Sequence, residues 1–159
     1  GPEDFEVVWQ VFSHPRCTNC HASGDAPTVG EDGRARLMAV VRGDKGKGVP
    51  GLSCGACHPD TKVSIAGGPP TAPHWQMPGR ETPMRFVGLG QVALCSQLKD
   101  PVATGKPDLV EAIKHVLKDP LVAWSFEPGA GRERPPVTRQ AFFKHLARWA
   151  KAGAPCPAK

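Results

Sequence analysis

Cys17-Thr18-Asn19-Cys20-His21 returns 37 positions later as Cys54-Gly55-Ala56-Cys57-His58. Each copy is a Cys-x-x-Cys-His pentapeptide, the attachment pattern for c-type haem. Two thiols three positions apart can add to the two vinyl groups on one haem edge. The histidine after the second cysteine is then carried under the iron as proximal ligand. Cys17, Cys20, Cys54 and Cys57 are thus read as attachment residues, and His21 and His58 as iron ligands. A lone Cys-x-x-Cys also suits zinc or a redox disulfide. Structural zinc uses four thiolates, or thiolates with histidines at other spacings, and gives no reason for His after both pairs. The expected cofactors are two covalently bound haems.

That assignment colours the composition. The chain has 159 residues, enough for one domain with a real interior; residues 3–159 are read as a single dihaem unit and Gly1-Pro2 as a scar of protease cleavage. Gly and Pro, 18 each, make up close to a quarter of the sequence. Such a fraction often marks disorder. Here it marks long loops that can wrap a porphyrin, so the apo chain should fold poorly. The formal charge of +5 falls to about +3 in the oxidised and about +1 in the reduced holoprotein once the haem propionates and iron are included. Lys and Arg are scattered without an aromatic stripe, which argues against nucleic-acid binding. An acidic redox partner remains compatible with the charge.

Haem attachment of this kind implies an oxidising compartment outside the cytoplasm, the periplasm, reached through an export signal that the natural precursor would carry. No apolar run approaches the ~20 residues of a membrane-spanning helix. In that compartment the two cysteines not used by haem, Cys95 and Cys156, are expected to pair. The disulfide would close a loop of about 60 residues, stabilising by roughly 4 kcal/mol on the chain-entropy model. The alternative is two unpaired thiols.

Periodicity predicts a mainly α chain. Asp4 can cap a helix over Phe5–Phe12, with Phe5, Val8, Trp9 and Phe12 on one face. A short helix is expected over Arg34–Val41, then a mobile connection Gly43–Gly48. Gly67–Arg85 is a Pro/Gly-rich loop. Helix is expected again over Val87–Leu98, and from Pro107 to Lys118 with Leu109, Val110, Ile113, Val116 and Leu117 on its apolar face. Ser125–Pro136 reads as loop. Thr138 caps a last helix to Lys151, with Phe142, Leu146, Trp149 and Ala150 as its core stripe and Gly153 ending it.

The pentapeptides, with a helix running into the first and another closing the chain, resemble the class I cytochromes c. In that family the first and last helices cross, and a loop delivers methionine to the iron. The departures are the second haem site and the extra cysteine pair. The ending Trp149-Ala150-Lys151-Ala152-Gly153-Ala154-Pro155-Cys156-Pro157 is also similar to small bacterial periplasmic dihaem proteins. That resemblance implies electron transfer with larger redox proteins, a molybdenum hydroxylase or a respiratory enzyme among them.

The second axial position of each iron stays open. Met84 and Met77 lie in the Pro/Gly loop, and Met77-Pro78 matches the Met-Pro of class I ligand loops. His74, 16 residues beyond His58, could wrap over the second haem. His14 sits at the thiol edge of its own haem and could serve the neighbouring one. Met38 reads mainly as core. His115 falls about 200° from the centre of its helix's apolar face, toward solvent, although a haem edge could lie there. His145 borders the core stripe of the last helix. Arg132 and Arg134, with Trp124 nearby, are candidates for the propionates. Methionine at the open face would raise the reduction potential, histidine would lower it, and an empty face would admit peroxide or carbon monoxide.

Three function classes follow: an electron carrier, a small peroxidase-like haem enzyme, and a gas or redox sensor. The sequence holds no G-x-S-x-G, no phosphate-binding glycine loop and no H-E-x-x-H, and no evident acid–base pair. The carrier is the expected function.

Overall fold

Phe5, Val8, Val11 and Phe12 recur at helical spacing, and they are buried on one side of α1 (Pro2–Phe12). The structure, a computed structural model, describes residues 1–36, 38–61, 63 and 67–158. The second long amphipathic segment is α8 (Arg139–Lys151), which packs across α1. Phe142, Leu146 and Trp149 fill the crossing, with Trp149 tilted against Phe5 at 4.9 Å between ring centroids. Burying each such side chain contributes about 1.5–3 kcal/mol. Thr138 caps α8 by accepting from the Ala141 N–H, and Gly153, at φ +86°, follows its end.

Asp4 does not cap α1. It sits inside the first turn, buried, and its carboxylate bonds the Gly1 ammonium at 2.7 Å and Arg148 Nε at 2.9 Å, with His145 Nδ1 at 2.8 Å. The ammonium first, then the guanidinium, hold its carboxyl well below the usual carboxylate range. Asp4 therefore joins the two crossing helices.

Between these helices the chain is mainly helical but short-jointed. α2 (Pro15–Thr18) and α3 (Cys54–Cys57) carry the pentapeptides. Two hairpins of two residues per strand, β1 (Thr28–Val29) with β2 (Arg34–Ala35) and β3 (Gly48–Val49) with β4 (Leu52–Ser53), occupy the segment between. The helix expected over Arg34–Val41 is absent among the described residues, since Arg34 and Ala35 pair as a strand; Leu37 lies outside them.

α4 (Gln91–Lys99) starts four residues later than expected, because Gly88 takes φ +73°. Its inner side buries Leu94, Cys95 and Leu98. α5 (Pro101–Thr104) and α7 (Pro120–Phe126) were not expected, although each opens with Asp-Pro. Asp100 and Asp119 accept the N–H of Val102 and Leu121, and the prolines take the first helical position. α7 also corrects the reading of Ser125–Pro136 as loop from its first residue. α6 (Leu109–Lys118) begins after Pro107, because Asp108 makes the cap. Leu109, Ile113 and Val116 pack inward, whereas Val110 is 59% exposed.

The Gly43–Gly48 connection is tied on both sides rather than loose. Gly46 accepts from the Met77 N–H at 2.8 Å, and Asp44 from the Arg80 N–H at 2.9 Å. Gly46 has φ +79°, and a Cβ there would collide with the Met77 carbonyl. Beside it Arg42, 0% exposed, donates to the carbonyls of Pro78 (2.7 Å) and Gly24 (3.1 Å) and approaches Asp25. Arg42→Met should remove both charge-assisted bonds of this buried guanidinium and cost about 3 kcal/mol. Urea unfolding of the variant beside the parent measures it; a loss below about 0.5 kcal/mol would contradict this role.

Candidate haem sites

The first site is built on a short capped turn. His14 Nδ1 accepts the Arg16 N–H, Pro15 fixes the first helical position, and Cys20 and His21 both donate their N–H to the Cys17 carbonyl. Cys17, Cys20 and His21 thereby stand at i, i+3 and i+4, on one face. They line a cavity of about 300 Å³ with Phe12, Met84, Phe86, His115 and Phe142. His21 Nδ1 lies 2.7 Å from the Met84 carbonyl. A carbonyl can only accept, so Nδ1 carries the proton and Nε2 keeps its lone pair. The ring stacks on Phe86 at 4.0 Å, and the Phe86 N–H returns to the His21 carbonyl. Burial lowers its pKa to about 4, so the imidazole is neutral, the form that binds metal.

The second site repeats the plan. Ser53 precedes α3, and the His58 N–H bonds the Cys54 carbonyl. His58 Nδ1 lies 2.7 Å from the Pro70 carbonyl, and the ring stacks on Trp75 at 4.2 Å and 7°. Burial lowers this pKa too. Cys54, Cys57 and His58 line a cavity of about 270 Å³. Burial pushes the Cys17 thiol up to about 12 and the Cys20 thiol up to about 11, and raises Cys54. These are neutral, unpaired thiols.

The two cavities share a wall. Arg16, Cys20, Trp75, Met77 and Trp124 border both, and Trp75 meets Trp124 edge-on at 4.8 Å. The remaining pair is a disulfide, Cys95–Cys156, with Cα atoms 5.6 Å apart.

The donor sets fit covalent haem. Each cavity takes two thiols and one oriented, neutral histidine from one turn. Buried Arg16 and half-buried Arg36, both lining the second cavity, have a buried Nε with no hydrogen-bond partner, as an incoming carboxylate would require. Among the described residues no group of three or more His, Cys, Asp or Glu converges to hold an ion, so the pairs do not form a four-thiolate cage.

The other candidates are distributed unevenly. Met77 is buried in the shared wall, and Met38, 54% exposed, lines the second cavity. Met84 lines the first, but its backbone is committed to His21. His74 is exposed at φ +58° and His14 is the α2 cap; neither lines either of these two cavities. His115, placed toward solvent by its helix position, is half exposed and yet borders the first cavity. His145 lies against Asp4. Arg132 reaches the second cavity, while Arg134 pairs with Glu127 on the surface. Sequence reading missed Arg16, Arg36 and Trp75. Arg16, next to Cys17, carried the one local signal.

No protein-family model, no curated protein and no solved structure matches the chain.

Proposed function

We propose that this chain is a periplasmic dihaem cytochrome c of class I-like type that carries electrons between larger redox proteins. One observation carries the reading: each Cys-x-x-Cys-His forms one face of a turn, with the histidine Nδ1 committed to a carbonyl, in two cavities divided by a single wall. Cys17, Cys20 and His21 would hold one haem, and Cys54, Cys57 and His58 the other. When bound, the haems supply one-electron iron redox chemistry. The protein's part is to orient, neutralise and shield. Met84 and Pro70 carbonyls fix the two imidazoles and raise their basicity. Phe12, Phe86 and Phe142 keep water from the first site. Arg16 and Arg36 would receive propionates. The shared wall puts the sites within one side chain's thickness, which suits transfer between them. No helix among the described residues is long and apolar enough to cross a membrane. A molybdenum hydroxylase or a respiratory enzyme is the partner class in view.

The test is expression in a host with haem-attachment machinery, followed by mass measurement of the denatured protein. Two covalent haems are expected, both low-spin and, once reduced, indifferent to carbon monoxide. A chain free of covalent haem would overturn the reading. Peroxide turnover by a high-spin haem would replace the carrier with an enzyme.

A further inference from the structure

The cavity around His21 contains more donors than one iron needs. Met77, Met84 and His115 all border it, and the geometry separates them. Met84 is fastened to the histidine it would have to oppose: its carbonyl accepts from the His21 Nδ1–H at 2.7 Å, and two residues on Phe86 stacks on the ring and donates its N–H to the His21 carbonyl. The residue that braces the proximal imidazole from behind is poorly placed to reach the opposite face of the same iron. Met77 is buried in the wall common to both cavities, with its backbone fixed to Gly46. It belongs to the first site no more than to the second.

His115 arrives from a different element. It projects from α6, which packs on α4, α7 and α8, independently of α2 and of the Met84–Phe86 segment. Its Nε2 lies 3.4 Å from Asp119 Oδ2, a loose ion-pair approach rather than a hydrogen bond. Asp119 is fixed by its own task, since Oδ1 accepts the Leu121 N–H at 2.8 Å and caps α7. Nε2 is the ring nitrogen remote from Cβ and sterically free to bind an iron, and so loose a contact can be exchanged for the metal. Asp119 also borders the cavity. The His115 nitrogen that can ligate therefore lies beside a residue of the cavity lining.

We propose that His115 is the second axial ligand of the haem attached at Cys17, Cys20 and His21. This rests on the two-haem reading above and deepens it. The first haem is then a His/His centre with a lower potential than a His/Met haem.

The experiment uses the holoprotein, with magnetic and optical spectra read beside the mass of the denatured chain. In His115→Ala both haems stay covalently attached, but half of the haem becomes high-spin and binds carbon monoxide when reduced. Imidazole added to His115→Gly restores the low-spin signal, which a misfolded chain would not do. His115→Met stays low-spin, gains the far-red sulfur-to-iron band and moves one couple to higher potential. Met84→Leu and Met77→Leu leave the His/His signal in place. An unchanged spectrum in His115→Ala, or an opened site in Met84→Leu, overturns the assignment and leaves the two-haem carrier standing. A wild-type chain without covalent haem overturns both.

Discussion

Replacing Cys95 and Cys156 together by alanine is expected to lower the stability of the holoprotein by about 4 kcal/mol, a fall in Tm of about 8–16 °C for a chain of this size. The disulfide spans 61 positions and joins α4 to the tail beyond α8. Cys95 is fully buried in the core, where alanine is the small apolar replacement that leaves no polar atom unpaired. The tail keeps two other anchors, the Trp149 Nε1–H on the Pro155 carbonyl at 2.9 Å and Lys99 Nζ on the Ala154 carbonyl at 3.0 Å. These hold the native arrangement in the variant, so the change falls on the unfolded chain, which becomes freer. Thermal unfolding of both proteins under oxidising conditions measures the difference. A Tm within about 3 °C of the parent would show that the anchors suffice without the bond.

On the proposed two-haem reading, replacing Cys54 and Cys57 together by alanine is expected to leave one covalent haem per chain and to halve the haem absorbance. The consequence should extend beyond the altered site. Trp75 stacks on His58 and touches Trp124, and both indoles also border the first cavity. Without a group seated at His58 this wall loses support on one side, and the spectrum of the remaining haem should shift. Mass measurement counts the haems, and comparison with the matching Cys17, Cys20 double variant identifies the survivor. Two haems on the variant, or a survivor identical to its wild-type signal, would contradict the attachment assignment or the shared wall respectively.

What could be read in advance follows the reach of each interaction along the chain. The thiols and histidine of each pentapeptide act within five residues, so their spacing alone places them on one face. The stripe Phe142, Leu146 and Trp149 and the cap at Thr138 are equally local, and the structure carries them as expected. The wall is another matter. Trp75 and Trp124 are 49 positions apart and meet only because α7 folds back onto the Pro/Gly loop. Nothing in the periodicity of either segment records that approach. The axial candidates divide in the same way. His14 and His74 were attractive because they lie close in sequence to the pentapeptides, but His14 is spent on a cap and His74 is exposed and lines neither cavity. His115 looked exposed by its angle from the apolar stripe, yet the cavity beside α6 begins where that stripe ends. The short helices α5 and α7 were legible and overlooked: Asp100-Pro101 and Asp119-Pro120 are cap and first-turn signals in their own right.

The wall between the cavities also sets an order of events. Both pentapeptides lie in the first 58 residues, whereas Trp75, Met77 and Trp124, which divide and close the sites, all come later. A chain emerging from its amino end shows all four thiols before the wall that divides the two sites has appeared. Under the two-haem reading, attachment takes place on this open chain, and the seated porphyrins become the surface on which residues 67–126 settle. Maturation and folding are then a single process, and the meeting of the two indoles marks its completion.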